Sequence, residues 1–71
     1  MNFYWKAVEV AVPVHMHPVH INNFITAELH IVARRAGEAV ADVRIGAPRE
    51  PRGDFIAWSA SYLPAPQETA A

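Results

Sequence analysis

The valines set the first constraint on this chain. Val8, Val10, Val12 and Val14 recur at every second position and Met16 continues the series, while Glu9, Pro13, His15 and His17 hold the other parity. A period of two with β-branched residues on one side is the pattern of a half-buried strand. Pro13 has no N–H to contribute to a ladder. The strand therefore belongs at a sheet edge, or carries a bulge at that position.

Length limits what can cover such a strand. With 71 residues the chain is one domain at most. Domains of this size bury a modest core and usually need a disulfide, a metal or a partner subunit. There is no cysteine, which removes disulfides and thiolate metal sites and is compatible with a reducing compartment. Hydrophobic residues make up 52% and charged residues 18%, an apolar composition for so short a globular chain. The formal net charge of -1 offers no electrostatic case for nucleic acid or an anionic membrane. No apolar run is long enough to span a bilayer, and "MNFYWKAVEV" lacks the layout of a signal peptide. A cytoplasmic protein is the expectation.

Downstream, Pro18 ends the first strand and Asn22-Asn23 favour a turn. In "ITAELHIVAR", Ile25, Ala27, Leu29, Ile31 and Ala33 share one parity, and Thr26, Glu28, His30 and Arg34 share the other. A helical stripe through Ile25, Leu29, Val32 and Ala36 competes, and Ala, Glu, Leu and Arg favour helix. The near-strict alternation favours a strand. Arg35-Ala36-Gly37-Glu38 then reads as a hairpin turn with Gly37 at the positive-φ position, followed by a strand through Ala41, Val43 and Ile45. "GAPREPRG" reads as an exposed loop. "DFIAWSASYLP" reads as a last strand with both faces covered. The expected fold is mainly β: a four-stranded antiparallel sheet in a single domain over 1–64, with a tail at 65–71. Such a sheet has no helix of its own to cover it, so another chain or another copy is expected to do so.

The order of these pieces carries a family resemblance. A valine strand ending in His17-Pro18-Val19, then "ITAELHIVARRAGEAVADVRI", then "FIAWSASYLP", is similar to the C-terminal sheet of the hotdog superfamily, in its phenylacetyl-CoA thioesterase-like branch. The resemblance spans roughly residues 6 to 64 and rests on order and spacing. It implies a curved sheet of a truncated hotdog fold completed by oligomerisation, as a homodimer or tetramer. It implies an acyl-CoA ligand and, if the chain is an enzyme, acyl-CoA thioester hydrolysis. The family's central helix and catalytic carboxylate precede the matched region, so no catalytic residue carries over. His17, Arg34 and Arg35 fall where the family has basic residues, some of them near the CoA phosphates. Guanidinium forks suit phosphate. The plain alternative for both arginines is a solvated turn.

Other candidates are weighed on their own chemistry. His15 and His17 project from one face of a strand, so with His20, or His30, they could ligate zinc or a similar divalent metal. The alternatives are polar residues guarding the end of an edge strand, or a pH-sensitive interface. No other cofactor is expected. Trp5, Trp58 and Tyr62, with Phe3 and Tyr4, are expected at an oligomer interface, because so small a chain cannot bury them alone. Glu9, Glu28 and Asp42 read as solvent-facing partners for Lys6, Arg34 or Arg44. Arg52-Gly53-Asp54 reads as a turn and not as an integrin tripeptide. The functional expectation is thus a thioesterase-like acyl-CoA hydrolase or binder. The alternative is a small β-sheet interaction or metal-binding protein.

Overall fold

A computed structural model describes residues 4–66. Phe3 and most of the expected tail, positions 67–71, lie outside the described residues. The elements run β1 (Lys6–Pro13), α1 (Pro18–Arg35), β2 (Val40–Arg52) and β3 (Phe55–Pro64). The strands form one antiparallel sheet in the order β1-β3-β2. The expected fourth strand does not exist, because residues 25–34 are helical. β1 is an edge strand, as Pro13 requires.

Both ends of α1 are written in local chemistry. Pro18 occupies the first helical position, where its fixed φ helps and its missing N–H costs nothing. His17 precedes it in an extended conformation, and its Nδ1 accepts a hydrogen bond from the Val19 N–H at 3.2 Å. At the other end Gly37 adopts φ 74°. The Gly37 N–H donates to Arg34 O at 3.0 Å, and the Glu38 N–H donates to Ala33 O at 2.8 Å. This pair of bonds is the Schellman C-cap. Gly37 has the positive φ expected of it, but it closes a helix and not a hairpin. Arg34 and Arg35 sit in the last turn, where cations meet the partial negative charge of the exposed carbonyls.

Tertiary packing decides which residues α1 buries. Ile25, Leu29 and Ala33, four residues apart, are fully buried. They lie against Val10 and Val12 of β1 and Ala60 and Tyr62 of β3. Val8, Val43, Ile45 and Trp58 extend this layer, and Ile21, Phe24 and Val32 flank it from the helix. Ile31, grouped with Leu29 by the alternation, is 39% exposed. The sheet is therefore covered on one face by the chain's own helix. The reason for expecting a second chain there falls away.

The second correction concerns residues 46–52, expected as a loop. β2 continues through them to Arg52 with register shifts between Val40 and Asp42, Ile45 and Pro48, and Pro48 and Pro51. Prolines are tolerated because β2 is the other edge strand. Gly46 is needed there, since a Cβ would stand 2.5 Å from Ser59 Oγ and 2.9 Å from Ser59 O. Arg52 pairs with Phe55, leaving Gly53-Asp54 as a two-residue turn. Gly53 has φ 61° and Asp54 does not have a positive φ. That combination is a type II′ hairpin turn, whose twist matches the strands it joins. Beyond β3, the Ala65 N–H still donates to Ala39 O at 2.9 Å, so this end of the expected tail is tied to the fold.

The helical face makes a discriminating prediction. Leu29→Ala should cost about 2–5 kcal/mol through transfer and cavity terms. Ile31→Ala should stay within about 0.5 kcal/mol, as at other surface positions. Urea denaturation of the two variants checks this. Equal losses would restore the strand assignment, which puts both side chains on one face.

Candidate functional site

One polar cluster joins three elements of the fold. Lys6 starts β1, Glu38 follows the helix cap and Tyr62 lies on β3. Lys6 Nζ donates to both Glu38 carboxylate oxygens, at 2.8 Å to Oε1 and 2.7 Å to Oε2. The Tyr62 hydroxyl donates to Glu38 Oε1 at 2.8 Å. Tyr62 is only 2% exposed, so its ring fills the core while its hydroxyl reaches the rim. Sequence reasoning placed Glu38 in a hairpin turn and overlooked it. Gly37 was the available signal, because a C-cap fixes where the following residue points.

The electrostatics of this cluster are those of a latch. The hydrogen bonds from Lys6, then from Tyr62, hold the Glu38 carboxyl below its ordinary range. The hydrogen bond to Glu38 raises Lys6 above its usual value. Burial, then the bond to Glu38, raises Tyr62. All three shifts lead away from neutrality. A general acid or base works best with a pKa near the operating pH, so this cluster is poised to hold its charges and not to exchange protons.

The histidines and arginines singled out by sequence are dispersed. His15 lies in the turn after β1, His17 caps α1 and His20 is exposed in its first turn. The rings of His17 and His20 meet edge-on with centroids 6.1 Å apart. Among the described residues, no group of three or more His or acidic side chains is placed to hold a metal ion. His17 and the Arg34–Arg35 pair stand at opposite ends of α1, 18 residues long. At 1.5 Å per residue that is about 27 Å, too far for one phosphate group to meet both. Arg34 instead lines a hollow of ≈ 300 Å³ with His30, Glu38, Ala39 and Val40.

The expected interface aromatics are also divided. Tyr62 belongs to the core and has no surface to offer a partner, because α1 covers it. Trp58 is half-buried on the same face, and its Nε1 is buried without a hydrogen-bond partner. Trp5 lies on the other side of the sheet, under the Arg44 guanidinium, 4.1 Å from the ring centroid. Glu9 pairs with Arg49 at 3.7 Å, in place of the expected neighbours. Both contacts join β1 or its approach to β2, across the intervening β3. Ala57, Ser59 and Ser61, small residues on the helix-free side of β3, leave room for these side chains to arch over it. The uncovered face is thus dressed by its own side chains. A shallow hollow of ≈ 380 Å³ remains, lined by Ala7, Arg44, Ile45, Gly46, Ser59, Ala60 and Ser61.

The two edges of the sheet differ sharply. The Val14 N–H donates to Asp54 O at 2.8 Å. Antiparallel ladders alternate, and β1 pairs with β3 without a register shift. Lys6, Val8, Val10 and Val12 therefore direct their backbone groups at β3, and Ala7, Glu9 and Ala11 direct theirs outward. Those three residues are exposed, and no strand lies beyond them among the described residues. Pro13, next in the series, has no N–H to leave unpaired. The β2 edge is blunted instead. The outward N–H of Val43 donates to Asp42 Oδ1 at 2.8 Å, and register shifts with Pro48 and Pro51 break the rest. Natural sheets guard their edges with such devices. β1 lacks them over three consecutive outward positions.

The latch predicts a stability plateau in pH. Glu38 has a folded pKa below its ordinary 4.5, so its contribution is complete above that value and is lost as pH falls through the lowered one. Lys6 and Tyr62 are raised above 10.5 and 10.0, so theirs is complete below those values and is lost as pH rises through the raised ones. Tyr62→Phe should lower stability at pH 7 by about 0.5–1.5 kcal/mol. It should also make the acid-side decline shallower, which denaturant titrations at pH 3 and pH 7 measure.

Comparison with protein-family models, with curated proteins and with solved structures finds no match.

Proposed function

We propose that this chain is a small protein-interaction module that acts by strand addition at the outer edge of β1. The observation that carries this reading is the contrast between the two edges: β2 is capped and kinked, and β1 is regular with Ala7, Glu9 and Ala11 facing outward. An added strand gains main-chain hydrogen bonds from these residues, the mode known as β-augmentation. The Lys6–Glu38–Tyr62 latch supports the role by pinning the start of β1 to the sheet and to the helix cap. A pinned edge is pre-organised, which lowers the entropic cost of binding.

This reading is preferred to thioester hydrolysis for two reasons. Hydrolysis needs a base or nucleophile beside a polarised carbonyl, and the latch residues are held away from neutrality. The hotdog resemblance also treated residues 25–34 as a strand, and they are helical. The order of strands on which that resemblance rested is absent from this fold.

The geometry of β1 separates two proline substitutions. Glu9→Pro removes an outward N–H and leaves the β1–β3 ladder intact, so the fold should persist. Val10→Pro removes a bond to β3 and should unfold the chain. Circular dichroism distinguishes them. Amide hydrogen exchange then tests the function, with a soluble peptide of alternating valine and threonine as the probe. Exchange at Ala7, Glu9 and Ala11 should slow in its presence, and Glu9→Pro should abolish the protection at the two remaining amides. Fast exchange at these three amides both with and without the peptide would sink strand addition at this edge.

A further inference from the structure

We infer that the strand added to β1 is the β1 of a second copy, antiparallel about a two-fold axis beside Val8. The inference rests on the strand-addition reading and names its partner. Three observations lead to it: the outward orientation of Ala7, Glu9 and Ala11, the position of Pro13, and the exposed Tyr4 and half-buried Trp5 just before the strand.

Symmetry leaves few registers. A two-fold pair must match outward residues with outward residues. It must also keep side chains of the same parity on the same face. Centres from Ala7 to Val12 satisfy this, but Ala7 and Val12 match only three residues of β1, and Ala11 sets Glu9 opposite Pro13, so Val8, Glu9 and Val10 remain to be compared. Centring on Glu9 sets the two Glu9 carboxylates directly opposite one another, where like charges repel. Centring on Val10 sets Ala7 opposite Pro13, which has no N–H, and whose carbonyl already accepts from the Met16 N–H at 3.0 Å. Centring on Val8 avoids both faults. Ala7 then faces Glu9 of the other copy, in two equivalent pairs that each exchange two hydrogen bonds. Lys6 faces Val10, and Pro13 falls beyond Trp5, clear of the matched segment.

The Val8 register also accounts for the aromatics. Trp5 comes opposite Ala11 of the second copy, on the helix-free face. Tyr4, 65% exposed in the single chain, comes opposite Val12. Large side chains thereby meet small or branched ones across the pair, a favourable cross-strand match. The product is one six-stranded sheet with both helices on the same face. Each copy keeps the blunted β2 edge as an outer border, so the assembly closes at two chains.

The chain contains no cysteine, which makes cross-linking clean. Val8 would face Val8 in a non-hydrogen-bonded pair, with Cα atoms about 4.5 Å apart, inside the range a disulfide spans. Sedimentation of the unaltered chain should give a mass of two chains. Val8→Cys should oxidise to a covalent dimer in higher yield than Val10→Cys or Glu9→Cys. The Ala7, Glu9 and Ala11 amides should become protected as concentration rises through the association range. A mass of one chain would overturn the second-copy inference. In that case, protection of the same amides by the valine–threonine peptide would preserve strand addition, and its absence would end both. A mass of two chains with unprotected edge amides, or with preferential cross-linking through Val10→Cys, would also overturn this arrangement.

Discussion

Burial of the Ile25, Leu29 and Ala33 stripe against Val10, Val12, Ala60 and Tyr62 is the interaction on which the rest of the structure depends. Three strands alone would expose an apolar face. One helix of 18 residues covers that face without help from another chain. β3 makes this possible because it is the central strand, paired on both sides. It holds β1 and β2 in one surface against which the helix can pack. Tyr62 joins the two requirements, with its ring in the core and its hydroxyl on Glu38 at the helix cap.

Placing the helix on one side has consequences for both faces. On the covered side, strand side chains are packed and, apart from Ala60, branched or aromatic. On the other, β3 carries Ala57, Ser59 and Ser61, and the long residues are supplied by the flanking strands. Arg44 over Trp5 and Arg49 beside Glu9 then bridge the sheet from edge to edge. Exposed contacts of this kind contribute little each, and they shield the central backbone without a second layer. Among the described strands, the edge left regular and without a neighbour lies in the plane of the sheet, at β1. The functional reading follows from that direction of the backbone and not from a cluster of reactive side chains.

Several of these features were legible in the residues. The valine alternation and Pro13 identified an edge strand, but the strand ends at Pro13, and Val14 to His17, expected to continue it, form the turn and the approach to the helix. Gly37 identified a positive-φ position, and Gly53 a turn. Gly37 can close a hairpin or cap a helix, and "ITAELHIVAR" satisfies a period of two almost as well as a helical stripe. Pro18 and Gly37 together held the answer: a proline just inside one end and a glycine just past the other bracket a helix. Treating Pro18 as the stop of a strand concealed its role as the start of α1. A strand reading of residues 25–34 carries with it a missing helix, a fourth strand and an uncovered sheet. The histidine run is divided for the same reason, because His17 caps the helix that a strand assignment leaves out.

By itself the sequence determined the local events: a strand at the valines, a positive-φ position at Gly37, a turn at Gly53 and the absence of any disulfide. These depend on backbone preferences that each residue carries wherever it is placed. Only the tertiary structure decided which face of residues 25–34 is buried. Local caps bracket the helix, and the surface offered by β1 and β3 takes Ile25, Leu29 and Ala33 while Ile31 stays exposed. The same is true of Glu38. Its partners Lys6 and Tyr62 are 32 and 24 residues away in the chain, so no local rule could bring them together. The free edge of β1 is likewise a property of strand order, which exists only once β3 has paired on both sides.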